Sequence, residues 1–274
     1  MAPMQHTKGV AERLARRDQA VVLGAVALIV LLSVVYTVFG IGMDMTAVEM
    51  TRMARPIGKP MQMGAGSAWT PAYTALIFLM WWIMMVAMMT PSAAPVLLLY
   101  TAIKKAGSRP HQAPLLSLAF LSGYLLAWAV FSIIATGLQW WLESWGLSDG
   151  PMMSLSSRAL GGALLLAAGA YQFTPYKHAC LLHCRMPVQF LTAHNRTGLD
   201  GAVLMGAHHG VFCLGCCWAL MLLLFAGGIM NLYWIAGLAL YVLAEKHVRN
   251  PRLFASTTGG LLLLAGFYVL ATAF

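Results

Sequence analysis

The sequence predicts an all-α protein, a polytopic bundle of about seven transmembrane helices with its N-terminus in the cytoplasm. Of its 274 residues, 60% are hydrophobic and only 9% are charged, whereas a soluble domain carries roughly 25% charged residues. Apolar runs recur along the whole chain, and a hydrocarbon core about 30 Å thick needs roughly 20 such residues per helix. Clusters of lysine and arginine separate the runs, in the pattern that fixes orientation in a bilayer.

Taken in order, the spans are predicted at 20–41, 70–101, 115–139, 159–174, 202–226, 232–244 and 255–274, all within one membrane domain. Residues 1–19 form a basic cytoplasmic tail. The apolar run that follows is too long for the core of a cleavable leader, so it is expected to stay as a span. Lys8, Arg13, Arg16, Arg17, Lys104, Lys105, Arg109, Lys177, Arg185, Arg196, Lys246, Arg249 and Arg252 then fall inside, and Arg52, Arg55, Lys59 and Arg158 outside. This asymmetry accounts for the net charge of +9 through topology and anionic lipid, so no nucleic-acid partner is needed. The second span opens with Thr70 before Pro71, an N-cap followed by proline at the first helical position. Its far end carries Pro91 and Pro95, which are expected to kink it and free backbone carbonyls. Glu245 falls at a helix end, and the scarcity of charge within spans argues against a proton pump built on buried carboxylates. Gly161-Gly162 and Gly227-Gly228 read as close helix contacts.

Three groups of residues carry metal-binding chemistry. The densest is GAHHGVFCLGCCW in the fifth span, with Met205, His208, His209, Cys213, Cys216 and Cys217 close together. At about 100° per residue, with His209 at zero, Met205 falls at about −40°, Cys216 at about −20°, Cys213 at about +40° and Cys217 at about +80°. Met205, His209, Cys213 and Cys216 therefore share one face, and soft thiolate, thioether and imidazole ligands select Cu(I). The alternative is that the cysteines pack as small apolar residues and the histidines bond a neighbouring span. The second group, His178, Cys180, His183 and Cys184, lies in the cytoplasmic loop 175–201. If that segment is helical, Cys180 and Cys184 stand one turn apart and can grip one ion, although the spacing is not that of a zinc ribbon. A reduced cysteine pair without a metal is the alternative. The third group is methionine: Met84 and Met88 with Met80 in one row of the second span, Met85 and Met89 in another, and Met43, Met45, Met50, Met53, Met61 and Met63 in the external loop 42–69. Methionine is often only pliable packing, yet a thioether row can pass Cu(I) along without binding it tightly.

The segments WWIMMVAMMTPSAAP, YQFTPYKHACLLHCRMP and GVFCLGCCWALMLLLFAGGIMN resemble the predicted metal-binding integral membrane proteins of the domain of unknown function 2182 family, over residues 20–270. The resemblance implies a bacterial inner-membrane protein, in a family with a tyrosinase-associated member regarded as a membrane copper chaperone. It singles out Cys180, Cys184, Cys213, Cys216 and Cys217. On this basis the chain is expected to hold Cu(I) and supply a partner copper enzyme, without turnover chemistry, with zinc and iron as alternative metals and an oligomer left open. The rivals are a membrane copper or iron oxidoreductase and an accessory subunit of a larger membrane complex.

Overall fold

In the computed structural model, the described residues are 4–41, 43, 45–54, 57, 68–107, 109–149 and 154–273, with side chains described from residue 20 onward. Helices form nearly all of it: α1 (Met4–Phe39), α2 (Ala47–Met53), α3 (Pro71–Ala106), α4 (Ala113–Ser144), α5 (Arg158–Tyr171), α6 (Pro175–Arg185), α7 (Pro187–Ala193), α8 (Gly198–Met221), α9 (Leu223–Gly227), α10 (Leu232–His247) and α11 (Pro251–Ala271). Five stretches are long and apolar enough to cross a membrane: Ala20–Phe39, Pro71–Ala106, Pro110–Ser144, Gly198–Gly227 and Pro251–Ala271. The helices expected as the fourth and sixth spans form, but α5 has 14 residues and α10 has 16. One small feature was not anticipated, an antiparallel pair of β1 (Ser148–Asp149) and β2 (Ser154–Leu155) between α4 and α5. Within the loop 42–69, Asp44, Met61 and Met63 lie outside the described residues.

Local chemistry sets the helix ends. Thr70 accepts a hydrogen bond from the Tyr73 N–H and Pro71 takes the first helical position, as expected. Helix α3 then runs through Pro91 and Pro95 to Ala106. Thr46 and Glu49 close a capping box on α2, and these two hydrogen bonds from Thr46, backbone first, hold the Glu49 carboxyl below its usual range. Helix α2 is pinned to the start of α10 by the Leu232 N–H, which donates to the Thr51 hydroxyl at 2.9 Å.

Glycine permits the closest helix approaches. Helices α4 and α8 run side by side, and a Cβ at Gly206 would land on the Phe120 carbonyl, while one at Gly123 would land on the Val203 carbonyl. This bare backbone contact brings Tyr124 of α4 against the cysteine face of α8. Gly162 lies against Gly266 and Leu270 of α11, and Gly227 against Trp234, so both glycine pairs of the sequence do mark tight contacts. At the end of the bundle where α3 begins, Trp81 donates to Gln139, Gln139 to Glu143, and Trp69 to the other Glu143 oxygen, at 2.8–2.9 Å. Outward, Leu28, Leu31, Ile133, Ile134, Leu261 and Leu264 lie exposed.

Candidate metal centre

Helix α6 begins at the Thr174 cap with Pro175 at its first position and stops at Met186, before Pro187. Its buried side chains are Lys177, Leu181 and Cys184, a stripe at helical spacing that faces α8. From α8 come Cys213, Cys216 and Cys217, all fully buried. The Sγ atoms of Cys184, Cys213 and Cys216 lie within 4.8 Å of one another. An ion about 2.3 Å from each of three coplanar sulfurs would set them about 4 Å apart, so this trio needs little adjustment to hold one. Two groups that the sequence keeps 29 residues apart thus contribute to a single cluster.

Charged and polar groups surround the sulfurs. The Lys246 ammonium lies 3.2 Å from the Cys213 sulfur and donates to the Ser92 hydroxyl at 2.8 Å. The Tyr124 hydroxyl is 3.2 Å from the same sulfur and donates to the Met89 carbonyl at 3.0 Å. The thiols of Cys216 and Cys217 each donate to the Cys213 carbonyl at 3.0 Å. Lys177 donates to the Cys216 carbonyl at 2.9 Å and pairs with Glu245 at 2.9 Å, both side chains being 0% exposed. Tyr241 donates to the same carboxylate, and Arg185 to the carbonyls of Glu245 and Val248. A buried ion pair is tolerated when its remaining donors and acceptors are matched in this way. Glu245 thus stands near the close of α10, as expected, and is fully buried there. Its burial was legible: Ile235, Leu238, Val242 and Glu245 form one helical stripe. Its partner Lys177 was not, because nothing local joins residues 68 apart.

The other expected ligands are distributed around this cluster. His209 is 1% exposed, and neither ring nitrogen has a hydrogen-bond partner among the described residues. Its ring sits among Phe120, Tyr124 and Phe190, with centroids 6.2, 5.8 and 5.4 Å away. A buried imidazole with nothing to bond is an unsatisfied polar group that calls for an explanation. Met205 is buried, and its sulfur accepts the Arg196 N–H at 3.3 Å. Cys217 lies beside the trio through its bond to the Cys213 carbonyl. Cys180 is half-buried against α8, where a Cβ at Gly215 would meet its sulfur. His183 is exposed and stacks on Phe212 at 4.1 Å. His178 faces a cavity of about 400 Å³ that also receives Arg185 and Arg252. Burial first, then the charges of Arg252 and Lys177, hold its imidazole below the usual range. Met84 and Met88 are buried with Met80, Met85 and Met89 in the interior face of α3. Of the expected residues, then, the sulfur trio is brought together, Cys217 and His209 border it, and His178 and His183 lie elsewhere on α6.

No curated protein and no solved structure matches the chain. A family model described as copper chaperone matches residues 78–269, which include α4 to α10, most of α3 and α11, and all five cysteines. The chain belongs to this family, the PpoB2 copper chaperones.

Proposed function

We propose that the protein is a membrane chaperone that holds Cu(I) on Cys184, Cys213 and Cys216 and delivers it to a partner copper enzyme. The observation that carries the reading is the meeting of three buried sulfurs from two helices beside an ammonium. Thiolates select Cu(I) over hard cations, and a three-sulfur set suits it better than zinc, which almost always takes four ligands at a structural site. Three thiolates and one Cu(I) carry a net charge of about −2, part of which Lys246 offsets. Helix α6 is short and bounded by prolines, so withdrawal of Cys184 alone would leave two ligands and weaken the hold on the ion. This is how a carrier differs from a structural site: its ligand set can be dismantled one member at a time.

The rows of buried methionine on α3 give Cu(I) a weaker-binding approach from the Met-rich loop. The orientation we propose has the N-terminus in the cytoplasm of a bacterial inner membrane, seven spans with α5 and α10 among them, and α6 on the cytoplasmic side. Elemental analysis of the purified copper-loaded protein tests the site. We expect about one ion per trio in the wild type and loss of most copper in the Cys213→Ser, Cys216→Ser protein. Folding should survive, since serine is of similar size and can bond back to its own helix. Undiminished copper in that variant would refute the site.

A further inference from the structure

Outside the sulfur cluster, the end of the bundle where α7 meets α8 gathers three more imidazoles. His194, the C-cap of α7, and His208 of α8 have ring centroids 4.6 Å apart with planes at 83°. His208 also lies 4.9 Å from the Phe212 ring, whose face is stacked by His183 at 4.1 Å. Phe190 supports the group from beneath, 5.0 Å from His194 and 6.1 Å from His208.

The hydrogen bonds of these rings leave ligand atoms free. The Nδ1 atoms of His194 and His183 face the carbonyls of Phe190 and Ala179, at 3.1 and 2.9 Å. A carbonyl can only accept, so each Nδ1 bears a proton, and it is Nε2 that is left to meet a metal, the arrangement that prepares a histidine as a ligand. His208 has no hydrogen-bond partner among the described residues and is exposed. His183 and His208 are exposed and His194 is half-buried, so an ion that takes nitrogens at about 2 Å reaches them from the surface of the bundle.

Two further observations connect this group to the sulfurs. Phe190, near both His194 and His208, also lies 5.4 Å from the buried His209, whose ring nitrogens have no partner among the described residues. His209 stands one helical turn before Cys213. The charge nearby also discriminates between ions: Arg196 follows His194 by two residues, and Lys104 donates to Asn195 and to the Arg196 carbonyl. With cations close and neutral ligands, a monovalent ion meets less repulsion than a divalent one.

We infer that His194 and His208, with His183 beside them, form a second Cu(I) site, from which the ion exchanges with the buried sulfurs by way of His209. The inference rests on the copper-carrying reading above and adds to it the door through which the ion passes. It is tested on the full-length protein in detergent, titrated with Cu(I) buffered by bicinchoninate. The wild type should show a tight class and a weaker one, and X-ray absorption should find nitrogen neighbours only once the weaker class fills. In the His194→Phe, His208→Phe protein, whose rings keep the aromatic packing, the weaker class and its nitrogen signal should vanish while the three-sulfur signal stays. Release of copper to an external chelator should slow by about tenfold or more. The His194→Gln, His208→Gln protein should behave alike, which guards against an effect of ring packing. Two classes and unchanged release in both variants would overturn the inference. A wild type without sulfur-bound copper would instead overturn the function on which it rests.

Discussion

Two groups reach the Cys213 sulfur from different helices, the Tyr124 hydroxyl and the Lys246 ammonium, each at 3.2 Å. Of these only the lysine carries charge. Unit charges about 4 Å apart attract by roughly 4 kcal/mol at an effective dielectric of 20, and the desolvation of a lysine that is 9% exposed returns a large part of that. The Lys246→Met protein keeps the apolar stem and loses the charge. Its Cu(I) affinity, measured by competition with a chromophoric chelator, should fall by about tenfold, or ~1.4 kcal/mol, with the number of sulfur neighbours unchanged. Equal affinity would reduce Lys246 to packing. The ligand types were legible in the sequence, because cysteines at positions 213 and 216 share an α8 face whatever surrounds them. Lys246 was not, since a lysine in the last turn of an apolar helix ordinarily marks the water boundary. Only the stripe that buries Val242 and Glu245 turns it inward.

At the scale of elements, the site depends on how closely α8 approaches α4. Gly206 sits on the Phe120 backbone, and a methyl group there must push the helices apart. The Gly206→Ala protein should lose about 1–3 kcal/mol of stability, seen as a lower melting temperature in detergent. It should also bind less copper, because Tyr124 would withdraw from Cys213. A melting temperature equal to the wild type would show that the contact can relax. Periodicity foretold helices at α3, α4, α8 and α11 because each is apolar over more than five turns. In α6 the sequence paired Cys180 with Cys184, one turn apart, whereas the fold turns Cys184 to the sulfur trio and Cys180 to Gly215. Helical spacing tells which residues share a face, but the neighbouring helix decides which of them meets a partner.

For the whole molecule, α5 and α10 test the seven-span arrangement. At 1.5 Å per residue they measure about 21 and 24 Å, short of a hydrocarbon core of about 30 Å. They can cross only with their flanking residues or where the bilayer thins, and α5 is anchored at its start by Arg158, which donates at 2.7 Å to the carbonyl of Thr272, just past the end of α11. A reporter fused beyond α11 should therefore be active only outside the cytoplasm, and cytoplasmic activity would remove one of the two short spans. The central claim is that the α6 and α8 cysteines hold a single ion together. X-ray absorption on copper-loaded wild type and on the Cys184→Ser protein tests it most directly: the account predicts three sulfur neighbours in the first and two in the second. Three sulfur neighbours in both would contradict it, since Cys184 would then not be a ligand.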